Sequence, residues 1–172
     1  PVPALISPDD GNYSNSSTAA FYFNATDALA STLNCSLYLN STWNATNSSV
    51  YNGTLTNFTV AGLSDGNRTW NVSCFDLAGN WASSANRWMF VDTVAPLVRV
   101  DAPTNASAYY SFNPLTINVT CTDAGGSGVY SVYTNDSRFA TPDYSPPFNL
   151  TNSTTLTNGV YSVLVSCNDS AG

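Results

Sequence analysis

The chain has 172 residues and a formal net charge of −7, carried by eleven Asp and four Arg, and it contains no Lys, Glu, Gln or His. With no basic run to neutralise phosphates in series, the composition disfavours nucleic acid and anionic membrane surfaces as partners. Most strong helix formers are missing, while Thr, Val, Tyr, Phe and Trp stand among Asn, Ser, Gly and Pro, so the chain reads as all-β.

Taken in order, PVPALISP opens the chain and leads to FYFNATD, where Phe21, Phe23 and Ala25 share one face of a strand and Asn24 lies on the other. In LNCSLYLN, Leu33, Cys35, Leu37 and Leu39 oppose Asn34 and Asn40. Residues 40–59 read as a low-complexity connection between strands. In WNVSCFD, Trp70, Val72 and Cys74 oppose Asn71, and Asp76 of the following D-x-A-G is expected to cap a tight turn. NWASSANRWMFVDTVA forms a last strand that runs through Pro96 into the next strand without a flexible spacer, which predicts a short, stiff link. In LTINVTC, Leu115, Ile117, Val119 and Cys121 oppose Asn118.

A repeat of about 95 residues underlies this order. Pro1, Pro8 and Asp27 match Pro96, Pro103 and Asp123, and Gly66, Cys74, Asp76 and Gly79 match Gly159, Cys167, Asp169 and Gly172. Two related domains are expected, at 1–95 and 96–172. Nothing after Gly172 corresponds to NWASSANRWMFVDTVA, so the second domain should lack its own last strand and leave an open sheet edge. Two explanations stand: the sequence is a piece of a longer repetitive chain, or another subunit supplies the strand by β-strand addition.

Two cysteines per repeat, with no CxxC spacing and no His, suit disulfides in an oxidising compartment and give a zinc site no support. The expected bonds are Cys35–Cys74 and Cys121–Cys167. Cys121 falls on the second strand of its repeat, whereas Cys35 falls on the third, opposite Ser131. The second domain should therefore be bonded across its two sheets and the first within one sheet. LISPDDG, FYFNATD, CSLYLN, WNVSCFDLAGN and MFVDTVAP together resemble the tandem immunoglobulin-like repeats of archaeal, and some bacterial, cell-surface and extracellular filament glycoproteins. That resemblance covers nearly the whole chain. It implies two tandem immunoglobulin-like β-sandwich domains and an extracellular, structural or adhesive role, and it supplies no catalytic residues.

Asparagine followed two residues later by Ser or Thr, the N-glycosylation acceptor pattern, occurs at Asn12, Asn15, Asn24, Asn34, Asn40, Asn44, Asn47, Asn52, Asn57, Asn67, Asn71, Asn105, Asn118, Asn135, Asn149, Asn152 and Asn168. These are 17 of the 21 asparagines, against about five expected from the Ser and Thr content. Opposite the strand sequons the other face stays apolar, so glycans are expected outside the sandwich, supplying the hydration that Lys and Glu usually give. The longest sequon-free run lies between Asn71 and Asn105 and holds Trp81, Arg87, Trp88, Phe90 and Arg99, candidates for contacts between domains or subunits.

Other sites carry weaker signals. Oxygen ligands for calcium could come from Asp9, Asp10, Asp76, Asp123 and Asp169, but no twelve-residue calcium loop is present, so no metal or other cofactor is expected. Trp43, Tyr109 and Tyr110 could stack on sugars, which gives an adhesin or carbohydrate-binding module as the alternative to a structural filament, stalk or coat. Without His, Lys or Glu the usual catalytic bases are missing, and an enzyme is not expected. No apolar run reaches the length of a membrane span.

Overall fold

A computed structural model of the protein describes residues 1–108, 114–139, 146 and 148–172. The described residues contain strands and no helix, and they form two compact units, Pro1–Thr93 and Val94–Gly172.

Unit 1 is a sandwich of two sheets. One has the order β1 (Val2–Ser7), β3 (Ala19–Thr26), β6 (Thr56–Val60). The other has the order β2 (Asn12–Ser14), β9 (Arg87–Val91), β7 (Gly66–Phe75), β4 (Thr32–Leu39), β5 (Thr42–Tyr51), with β8 (Trp81–Ser83) also pairing with β7. Strict alternation drives this arrangement: in β3 the buried Ala19, Phe21, Phe23 and Ala25 take every second position. Those residues meet Leu33, Cys35 and Leu37 of β4 and Trp70, Val72 and Cys74 of β7. Trp70, 1% exposed, sits 5.1 Å from Phe21 between ring centroids, and Phe23 stacks on Phe58 at 5.4 Å.

The sequon-rich stretch 40–59 is no mere connection: it forms β5 and β6. Asn40 and Ser41 make the two-residue turn between β4 and β5, both at positive φ (49° and 63°), as a hairpin of that length requires. The last strand is likewise split, into β8 and β9. Parallel pairing of β2 with β9 adds a strand at that edge, where Gly11, at φ +83°, packs beneath the Trp88 ring.

Unit 2 has one sheet of order β10 (Leu97–Ala102), β11 (Thr116–Thr122), β13 (Phe148–Thr151), and a second of β12 (Val129–Thr134) with β14 (Val165–Asp169). The repeat shows in its detail. β1 shifts register between Leu5 and Ser7 and β10 between Val100 and Ala102, and each is followed by a cis X-Pro bond, Ser7-Pro8 and Ala102-Pro103. The core gathers Ile117, Val119, Phe139, Phe148 and Leu150. Among the described residues β14 pairs only with β12, whereas its counterpart β7 has neighbours on both sides.

Both disulfides form between the expected partners. Cys35 and Cys74 are direct cross-strand partners in one sheet, with Cα atoms 4.1 Å apart. Cys121 on β11 bonds Cys167 on β14, from one sheet to the other, with Cα atoms 6.6 Å apart. Ser131, in the place of Cys35, faces Asn168 and hydrogen-bonds to its side chain.

Candidate glycan-bearing surface

Strand parity sets where each sequon points. Asn34 of β4 and Asn118 of β11 are exposed while Leu33, Cys35, Ile117 and Val119 beside them are buried; Asn24 and Asn71 lie half-buried on the outer faces of β3 and β7. A glycan attaches at the side-chain amide nitrogen and leaves it one N–H, so what that nitrogen already does decides what each site can carry.

Asn15, Asn34, Asn44, Asn67, Asn105, Asn118 and Asn149 are exposed. Asn40, Asn47, Asn135 and Asn168 use their side-chain carbonyls as acceptors, from the N–H of Thr69, Ser49 and Leu164 and from the Ser131 hydroxyl, which leaves the amide nitrogen available. The amides of Asn12, Asn24, Asn57 and Asn71 each donate once, to Tyr13 O, Gly53 O, Thr59 Oγ1 and Asn86 Oδ1, a bond that the remaining N–H of a glycosylated amide can keep.

Two sequons are built differently. Asn52 donates to Asp27 O at 2.6 Å and Ala30 O at 2.8 Å while accepting from Asp27 N–H at 3.0 Å. Both amide hydrogens are spent in holding the turn after β3. Asn152, 8% exposed, accepts the N–H of Leu115 and donates to Thr154 O at 2.7 Å, which buries it against the start of β11. The triplet pattern cannot reveal either role, because both depend on chain segments 22 to 37 residues away.

The sequon-free run divides. Arg87 donates to Ile6 O (3.0 Å) and Pro8 O (2.9 Å) and lies 3.7 Å from Asp9, so it fastens β9 to the end of β1. Trp88 and Phe90 pack on Tyr13 at 6.1 and 5.8 Å. Trp81 is 64% exposed, and Arg99 in unit 2 is exposed and paired with Asp101 at 2.7 Å. Arg68 donates to Ser64 O and Asn67 O, and Arg138 pairs with Asp136 beneath the Tyr161 ring. All four arginines are thus engaged within their own unit.

The acidic groups cap turns. Asp76 accepts from Asn80 through both backbone and side chain, which holds its carboxyl below the ordinary range, with backbone N–H groups adding to the effect. Asp169 accepts from the N–H of Ala171 and Gly172, Asp10 from Trp88 N–H and Asp123 from Gly128 N–H. Trp43 is 60% exposed with its indole N–H on Thr46, and Tyr109 and Tyr110 lie outside the described residues.

These features define an all-β chain of the immunoglobulin-like sandwich class. In particular, the chain is similar to the solved fibronectin(III)-like modules of Clostridium thermocellum CbhA, with a TM-score of 0.58 and 15% sequence identity over 99% of this chain and 88% of that one. No protein-family model and no curated protein matches the sequence. Two disulfides are typical of domains folded in an oxidising compartment. No helix among the described residues is long and apolar enough to cross a membrane.

Proposed function

We propose that the chain is a structural, heavily N-glycosylated extracellular protein whose tandem sandwiches build a surface filament, stalk or coat. The observation that carries this reading is β5. It is a ten-residue outer strand of the six-stranded sheet, TWNATNSSVY, with no charged residue and no Pro, and most of its positions are exposed. Such an edge invites pairing with another chain, and natural edges are normally blunted by Lys, Pro or a bulge. β5 shifts register against β4 twice, and Asn44 and Asn47, at or beside those shifts, would add glycans along the edge.

Fifteen of the seventeen sequons serve as acceptors in this reading, while Asn52 and Asn152 serve the fold. The partners are copies of the chain or neighbouring repeats. The edge of β14, unpaired among the described residues beyond β12, takes from such a neighbour the strand that β8 and β9 provide in unit 1. The test is enzymatic removal of glycans from the native material, followed by sedimentation. The stripped protein should associate through its edges, and a Ser48→Lys variant on β5, which keeps both sequons, should reduce that association. A native protein without glycans, or a stripped one that sediments unchanged, refutes the reading.

A further inference from the structure

The outer face of the six-stranded sheet of unit 1 is organised in rows that run across the strands, and their composition is not random. One row reads Asn34, Phe75, Trp81 across β4, β7 and β8. A second reads Asn71, Tyr38, Trp43 across β7, β4 and β5. A third reads Asn67, Phe90, Tyr13 across β7, β9 and β2. Each starts at a sequon asparagine and continues through two aromatic residues on the next two strands. The row between the first two, Ser83, Ser73, Ser36, Thr46, has neither a sequon asparagine nor a ring; it holds the sequon hydroxyls of Asn71, Asn34 and Asn44. Two further rings lie on this face outside the three rows: Trp88, which pairs with Thr69 and packs on Tyr13 and Gly11, and Tyr51, 67% accessible, which pairs with Thr32.

Rings this exposed need a reason on a surface with almost no charge. Trp81, Trp43, Phe75 and Tyr13 are 64%, 60%, 41% and 41% accessible. In two of the rows the rings also touch: Phe75 lies 6.3 Å from Trp81 and Phe90 lies 5.8 Å from Tyr13 between centroids, while Tyr38 and Trp43 are cross-strand partners. Neighbouring strands are about 4.8 Å apart, a step comparable to one pyranose ring. The C–H groups on one face of a pyranose carry partial positive charge and suit the negative face of an aromatic ring.

We infer that the three tracks are seats for the chain's own glycans, the first two saccharides on Asn34, Asn71 and Asn67 lying over Phe75 and Trp81, Tyr38 and Trp43, and Phe90 and Tyr13. The geometry of attachment permits it. Asn34 and Asn67 are exposed, and the amide of Asn71 makes one bond, to Asn86, which its remaining N–H keeps after glycosylation. The ligand is a pyranosyl chain linked to the asparagine, and the aromatic pair is an intramolecular platform that lays it flat against the sheet.

The inference rests on glycosylation of these asparagines, and the test separates the two. Glycopeptide mass spectrometry first reads occupancy at Asn34, Asn67 and Asn71; if all three are empty the platform fails, and the glycosylated reading fails with it only where the other sequons are empty too. With Asn34 occupied, a double-mutant cycle of Asn34→Gln and Trp81→Leu in the glycoprotein measures coupling between sugar and ring. The expected coupling is about three- to ten-fold in the unfolding equilibrium constant, the range for a ring-stacking contact. Occupancy without coupling overturns the platform and leaves glycosylation standing. Should the Trp81 variant not fold, nuclear Overhauser contacts between pyranose protons and the Phe75 or Trp81 rings in the unmutated glycoprotein decide the matter: their presence supports the seat and their absence overturns it.

Discussion

In unit 1, Cys35 faces Cys74 across adjacent strands of one sheet; in unit 2 the facing pair is Ser131 and Asn168, and the disulfide runs from β11 to β14 between sheets. The difference follows what holds each sandwich shut. Unit 1 closes on large rings, with Trp70 against Phe21 and Phe23 against Phe58, and its disulfide-bearing sheet includes β9 and β5 on either side of the bonded strands. In unit 2 the described sheet that carries Cys167 has two strands, too few to be stable alone. A covalent bond to β11 ties that sheet to its partner. Where packing supplies the attachment, the crosslink is free to brace one sheet; where the sheet is small, the crosslink becomes the attachment.

Removing the disulfides should have the largest effect on both units. Each closes a loop, of 39 and 46 residues in sequence separation, worth up to about 4 kcal/mol by chain entropy. Cys121→Ala with Cys167→Ala should strip protection from the amides of β12 and β14 in hydrogen exchange. Cys35→Ala with Cys74→Ala should leave β4 and β7 protected, because their pairing runs on from Asn34↔Phe75 to Leu39↔Trp70. Equal loss in both variants would contradict the assignment.

Next come the two asparagines that serve the fold. Asn52→Ala removes three hydrogen bonds from the turn after β3, and Asn152→Ala leaves the Leu115 N–H without its partner. Each should cost about 1–3 kcal/mol, read in denaturant unfolding as loss from unit 1 and unit 2 respectively. Ser131→Ala, which removes the bond that replaces the in-sheet disulfide, should cost about 0.5–1.5 kcal/mol in unit 2.

The smallest effect is acid loss. The carboxyls of Asp76, bonded to Asn80, and Asp136, bonded to Arg138, are held below their ordinary value of 3.8. A folded pKa below the unfolded one gives stability that is present above about pH 4 and fades as pH falls through the folded value. Tm should therefore drift down below pH 4, with Asp76→Asn removing part of unit 1's share, to which the lowered Asp27 carboxyl also contributes, and Asp136→Asn removing the Asp136 share in unit 2.

Much of this was legible in the sequence. Two-residue parity placed Phe21, Phe23, Leu37 and Val72 inside and Asn34 and Asn118 outside, because alternation is a local property of a strand. The repeat offset placed Cys121 and Cys35 on different strands and so gave the two disulfide geometries. Register was not legible. The rows that align Asn34 with Phe75 and Trp81, the parallel pairing of β2 with β9, and the clamp made by Asn52 all join segments far apart in the chain. Residues 42–51 show no two-residue alternation because β5 shifts register against β4 twice, which puts the inward Ala45 and Val50 an odd number of residues apart.

Site-resolved glycopeptide mass spectrometry of the native protein distinguishes sequons that carry sugar from those that hold the fold. Asn15, Asn34, Asn44, Asn67, Asn105, Asn118 and Asn149 should be occupied, with Asn52 and Asn152 empty. A protein that carries no glycans, or one in which Asn52 and Asn152 are occupied as fully as the exposed sites, would contradict that division.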